Sequence, residues 1–467
     1  MASLLSGQPA KLGEIAVRRG VLKVGRSFAP NRYFRVSSSA LGAALAAVLL
    51  ACIGVAADDD PADIPDEGID ATITEADFGG AAPLATSRTV RHWSSETTNG
   101  TNGVTYQYNM VGADPSTDGS AVIGVDIIPL DVTVGGREFN GSQITNAVLA
   151  SPLFSTSFTV QTSTGPATVP YSYVTTAAVS NALGGPGPGG SLSPGNSGVQ
   201  LLDATMRAQF NKVGSPFYHL VLDPAVHDPV AIDVPADKGT TVTSPVGVTM
   251  ANLDMKWFRT RIQNQLGRLD YLDPTRLAVI LTYDVLVTTD GTLATVVVGA
   301  HGAGPATGNG NGNVLANGNQ PVQTFVWGSW LSTGFFSRNR MWAIQDIHSL
   351  SHEIVSWAVD PFVTNTVQPW SVARASQYGC SDLMETADPV AGLGFAVGAH
   401  NFDINRFSEH RYHPSDQVFL PWFMRSDPQT QSQQHDPTVG RFTFLGDLNQ
   451  VKDAAGNRIF QQAATGC

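Results

Sequence analysis

The run Ala121–Val134, AVIGVDIIPLDVTV, constrains this chain most. It is rich in β-branched residues, alternates partially, and is bounded by Asp114-Pro115 before it and Gly135-Gly136 after it, so it commits the chain to a β-sheet. Shorter runs of the same character are Val104–Met110, Ser157–Thr176, Tyr218–Leu222, Leu277–Val287, Ala294–Ala300 ending at His301, and Gln323–Leu331. With 47 glycines and 28 prolines in 467 residues, strands and long turns are favoured over a coiled coil or an all-α fold. Helical spacing is confined to Leu201–Lys212, to Asp254–Leu266, where Phe258, Ile262 and Leu266 recur every four residues, and to Arg340–Val359, which stops at Asp360-Pro361. Gly184–Gly198 and Gly302–Asn319 are Gly-rich and read as loops. The expected class is α+β: a β-rich N-terminal half and a C-terminal part in which strands lead into the long helix.

Charge divides the chain unevenly. Residues 1–57 carry Lys11, Arg18, Arg19, Lys23, Arg26, Arg32 and Arg35 against one acid, Glu14, although the whole chain has a net charge of −12. The acidic remainder repels phosphate backbones, so nucleic acid is a poor partner. Ala40–Ala57 is apolar over about the length of a signal-peptide core and shorter than the roughly 20 residues of a membrane span, so residues 1–57 read as an export signal. Two outcomes stay open: cleavage after Ala57, following the small residues Val55 and Ala57, or lipid attachment at Cys52. Residues 58–83, acid-rich from Asp58 to Asp77, read as a solvated spacer. The rest divides into a β-rich region, 84–250, and an α+β region, 251–467. After cleavage, Cys380 and Cys467 can pair in an oxidising compartment, or Cys467 stays loose. The chain has no CxxC, which excludes a structural zinc finger.

The long helix carries the chemistry. On a 100° wheel Ala343, Ile347, Leu350, Ile354 and Trp357 share one face, and His348, His352 and Ser356 line the other at one-turn spacing, with Glu353 at the boundary. Zinc peptidases space two ligands by one helical turn, and the glutamate beside the first takes a proton from water at the metal. Here the expected HExxH is broken. Ser356 stands four residues after His352, and Ser349 rather than a glutamate follows His348. The alternative for this stripe is a solvated or hydrogen-bonded polar face. Downstream, Asp382, Glu385 and Asp388 precede Pro389. Glu385 and Asp388 are one turn apart and supply oxygen donors of the kind zinc accepts, or they form an acidic turn.

The segments SHEIVSWAVDPFVTNTVQPW and YGCSDLMETADPV together resemble the hallmark of a secreted zincin-like family, SHExxEWxxDPFxNNxxPxW followed by CxxLExGDP. Weaker similarity extends over most of residues 90–425, through Tyr108–Pro129, LLDATMRAQF with Tyr218-His219, Gly299–Gly302 and Val418–Phe423, and a fainter one reaches the EXORDIUM-like extracellular proteins. The resemblance implies a zincin-like C-terminal part with zinc as cofactor, His352, Glu385 and Asp388 as ligands, and Glu353 as general base. It also exposes a departure: the family's second helix glutamate corresponds to Ser356, which leaves one ligand missing unless His348 swings in or water fills the vacancy.

Two functions are therefore expected. One is an exported metallopeptidase-like hydrolase, or its inactive relative, acting on peptides. The other is an extracellular or cell-surface binding protein on a degenerate scaffold, holding a polymer or partner. No GxSxG elbow or phosphate loop competes with these readings. His301, His410 and His413 can approach the site or be ordinary half-buried histidines. Trp327, Trp330, Trp342, Trp357, Trp370 and Trp422 can stack on carbohydrate or fill a core.

Overall fold

Glycine-bounded and proline-bounded runs of Val, Ile and Leu form the centre of the protein. A computed structural model describes residues 88–444 apart from 163–164, 172, 174–197, 211, 213–214, 307–320, 337–343, 373–378, 399–410 and 426–441. The chain divides into two compact units, Met1–Ala57 and Asp58–Cys467, and every described residue belongs to the second. The export segment, the acidic spacer, nearly all of Gly184–Gly198, most of Gly302–Asn319, His410, Trp342, Cys52 and Cys467 lie outside the described residues.

The strands are β1 (His92–Thr98), β2 (Thr105–Val111), β3 (Ala121–Val134), β4 (Arg137–Asn140), β5 (Ser157–Thr162), β6 (Gly165–Pro170), β7 (Leu220–Val226), β8 (Val230–Val234), β9 (Gly239–Thr243), β10 (Thr249–Asp254), β11 (Leu277–Tyr283), β12 (Val285–Thr288), β13 (Gly299–Pro305), β14 (Val322–Trp330), β15 (Thr366–Trp370) and β16 (Ser381–Leu383). The helices are α1 (Thr145–Leu149), α2 (Leu201–Gln209), α3 (Met255–Leu266), α4 (His348–Val359) and α5 (Leu420–Phe423). The content is mixed and strand-rich. A seven-stranded sheet in the order β13-β14-β11-β3-β4, with β7 and β8 also on β3, takes strands from both sides of residue 250.

β3 is the axis of that sheet. Its first half pairs with β7 and its second half with β8, both parallel, while its other edge pairs in parallel with β11 and then antiparallel with β4. The buried face changes midway. Ala121, Ile123, Val125 and Ile127 line one core, whereas Ile128, Leu130, Val132 and Val134 line a second core together with Phe258 and Ile262 of α3. Period-two alternation puts the two sets on opposite faces, so one strand closes both layers. Apolar burial of this kind stabilises at about 25 cal/mol per Å2.

Three boundaries differ from the sequence reading. Leu277–Val287 is two strands, because Asp284 takes φ 51° and redirects the chain from the main sheet, where β11 lies, to β10, which pairs with β12. The strand expected at Ala294–Ala300 instead runs Gly299–Pro305, with His301 inside it. Its three glycines weaken the sequence signal, but β14 supplies antiparallel partners along the whole strand. The long helix starts at His348, not Arg340, since Asp346 at φ 44° bridges to Leu331 just before it. Trp327, Trp357, Trp370 and Trp422 are fully buried and Trp330 nearly so, so these five fill cores rather than a carbohydrate-stacking surface.

Candidate functional site

Helix α4 lies against β13 and β14, and two glycines set how closely. Gly299 and Gly328 are cross-strand partners. A Cβ on Gly328 would stand 2.8 Å from the Leu350 Cα, and one on Gly299 would stand 2.5 Å from Ser349 Oγ and 2.7 Å from Glu353 Cγ. The helix therefore sits directly on backbone. All of its residues from His348 to Val359 are buried, so the solvated polar face is ruled out. Ser349 Oγ donates to the Val298 carbonyl at 2.7 Å and fixes the rotation of the helix on the sheet.

That rotation presents Ser349, His352, Glu353 and Ser356 together, since i, i+3, i+4 and i+7 share a helix face. His301, projecting from β13, meets this face: its Nδ1 lies 3.2 Å from Glu353 Oε2, and its Nε2 lies 3.5 Å from Glu385 Oε1. His352 Nε2 lies 3.0 Å from Asp388 Oδ1. Four residues singled out from sequence thus lie around His301, which meets Glu353 and Glu385 directly and feels the charges of Asp388 and His352, and which is fully buried and not half-buried. His348 is buried on the same helix, one turn before His352. Its Nδ1 faces Gly394, where a Cβ would stand 3.1 Å away. Asp382, on β16, is exposed.

Local structure fixes these side chains. The Glu385–Asp388 segment is strapped at Met384 and Thr386: the Met384 N–H donates to the Asn365 carbonyl, Thr386 Oγ1 donates to Gln417 Oε1, and the Val418 N–H donates to the Thr386 carbonyl. Asp388 and Pro389 then open a 3-10 turn. Behind α4, the Asp360 carboxylate accepts the Thr364 and Asn365 N–H groups at 2.9 and 3.0 Å, and the Asn365 amide donates to the Val359 and Asn109 carbonyls. The DPFxxN turn is therefore a clamp joining the end of α4 to β2.

Burial dominates the electrostatics. It pushes the His301 imidazolium pKa down to about 4, against the charges of Asp360 and Asp388, which raise it. Burial pushes Asp360 up to about 6, although the Thr364 and Asn365 N–H bonds and the His301 charge oppose it. His301 is therefore neutral at pH 7. With Nδ1–H donated to the Glu353 carboxylate, its Nε2 carries the lone pair.

A second buried polar group lies beside this network. The Asp346 carboxylate takes the His413 Nδ1 at 2.6 Å and the His413 N–H at 2.8 Å, and Ser351 Oγ accepts the Ser415 N–H at 2.8 Å. His413 is thus a fully buried structural partner of Asp346.

Two imidazoles and three carboxylates in one buried network match the donor chemistry of zinc. As packed, the donors engage one another in pairs, and among the described residues no three His, Cys, Asp or Glu side chains form a ready metal-ligand group. Sequence reasoning weighted His348 over His301. The signal that would have reversed this is the glycine pattern around His301, which marks a close approach of helix to strand. Compared with known proteins, the chain matches no family model, no curated protein and no solved structure.

Proposed function

We propose that this protein is an exported, zincin-like, metallopeptidase-like hydrolase, divergent at Ser356. The observation that carries the reading is the buried convergence of His352 and Glu353 from α4 with Glu385 and Asp388 from a strapped downstream turn. His352, Glu385 and Asp388 are the zinc ligands in this reading. When bound, zinc supplies Lewis acidity toward a peptide carbonyl and toward water.

The chain's own residues supply the rest. Glu353 is the proton acceptor. Its Oε2 lies 3.2 Å from His301 Nδ1, and its carboxylate sits over the side-chain-free Gly299. Asp388 Oδ1 lies 3.0 Å from His352 Nε2, and the Asp360 clamp holds the C-terminal end of α4. Export is supported by the disulfide at Cys380, since such bonds persist in oxidising compartments such as the cell envelope or the medium. No helix among the described residues is long and apolar enough to cross a membrane.

The test is turnover of a peptide library by the secreted protein beside Glu353→Gln. The expected loss is at least about 100-fold, the usual contribution of a general base. Peptide turnover unaffected by Glu353→Gln contradicts the reading.

A second reading draws on a specific observation. Ser356 occupies the position of the expected helix ligand, and Glu353 is only 3% exposed, which suits a binding protein on a degenerate scaffold. Co-sedimentation with insoluble cell-wall polymer, without turnover of any peptide, favours that reading over the first.

A further inference from the structure

We infer that His301 is a metal ligand of this site and replaces the helix carboxylate that Ser356 lacks. The inference rests on the zinc-site reading above and names a residue which that reading does not use. His301 comes from β13, not from α4, so it reaches the network from the strand beneath the helix. Ser356 stands one turn beyond Glu353 on the face that His301 meets, and its Oγ is buried with no hydrogen-bond partner.

The orientation of the ring supports the assignment. In the tautomer that donates Nδ1–H to Glu353 Oε2, 3.2 Å away, the Nε2 lone pair is directed toward Glu385 Oε1 at 3.5 Å. Nε2 is buried and makes no hydrogen bond. A lone pair facing a carboxylate oxygen is repulsive unless a cation lies between them. Two ligand atoms on one tetrahedral zinc stand about 3.4 Å apart, given bonds of roughly 2.1 Å, so the observed 3.5 Å spacing is that of two ligands rather than of a hydrogen bond. A carboxylate on the other ring nitrogen is also the usual outer partner of a metal-binding histidine. Glu353 therefore orients His301 through Oε2.

The experiment measures zinc affinity, by competition with a chromophoric chelator, for the purified full chain as wild type, His301→Ala, His301→Gln and His301→Ala/Ser356→Glu. Cobalt(II) absorption spectra of each are recorded as a readout independent of activity. Both His301 substitutions are expected to weaken zinc binding by more than the roughly 10–100-fold that an outer partner costs. They are also expected to change the cobalt spectrum, and Ser356→Glu is expected to restore binding. Circular dichroism establishes that the variants fold, and His301→Gln, which keeps a polar side chain of similar reach, serves if His301→Ala does not. Wild-type affinity and an unchanged cobalt spectrum in either folded variant overturn the role of His301 and leave the zinc site standing. A wild-type chain that takes up neither metal overturns the zinc site itself, and His301 with it.

Discussion

Single buried groups set the pH response of this protein. Asp284, at the turn between β11 and β12, accepts the Ser332 N–H at 2.7 Å and the Ser332 hydroxyl at 2.6 Å, yet burial pushes its carboxyl from 3.8 to about 7. Because the folded state holds this proton more tightly, the stability it contributes is full below pH 3.8 and is lost as pH rises to about 7. Asn in its place still accepts the Ser332 N–H and can donate to the Ser332 oxygen. Asp284→Asn is therefore expected to flatten the fall in melting temperature between about pH 4 and 7, as followed by thermal unfolding in matched buffers. An unchanged slope means that Asp284 is not the group responsible. His301 acts in the opposite direction: the unfolded chain takes its proton near 6.5 and the folded chain only near 4, so stability is lost as pH falls through that interval.

At the level of elements, the seat of α4 on Gly299 and Gly328 links packing to chemistry. Gly328→Ala places a methyl group 2.8 Å from the Leu350 backbone, which cannot yield as a side-chain tip would. The expected cost is about 1–3 kcal/mol, read from the denaturant midpoint. Gly299→Ala presses on Glu353 itself and is expected to lower activity as well as stability, whereas Gly328→Ala is expected to lower mainly stability. Equal loss of activity in both would show that the glycines only support the fold. How far these elements were legible in sequence follows the same physics. Ala121–Val134 was read to the residue because its side chains alternate and glycine and proline close it. In sequence α4 looks longer than it is because residues before His348 continue its apolar spacing, and only the backbone turn at Asp346 ends it. His301 was undervalued because a strand built on Gly299, Gly302 and Gly304 has little side chain to announce it. His352, Glu353, Glu385 and Asp388 are legible in sequence because residue type and one-turn spacing are visible without coordinates, while the rotation of the helix on the sheet depends on tertiary contacts such as Ser349 Oγ to the Val298 carbonyl.

For the whole molecule, the proposed export and the disulfide at Cys380 are tested together. Mass spectrometry of the secreted protein is expected to find Asp58 as its first residue and Cys380 joined to Cys467; a lipid-modified Cys52 would contradict that processing. Reduction of the bond is expected to cost about 2–4 kcal/mol, measured by denaturation with and without reductant. The main sheet draws on strands from Ala121 to Trp330, and one continuous core runs from Val90 to Phe444, so the network around His352 is held by the entire described unit rather than by a separable part. The central claim is that this network is a metal site. Elemental analysis of the secreted wild-type chain, purified without added metal, tests it most directly: close to one zinc per chain is the predicted result, and a chain that carries no zinc and acquires none on dialysis against it would contradict the claim.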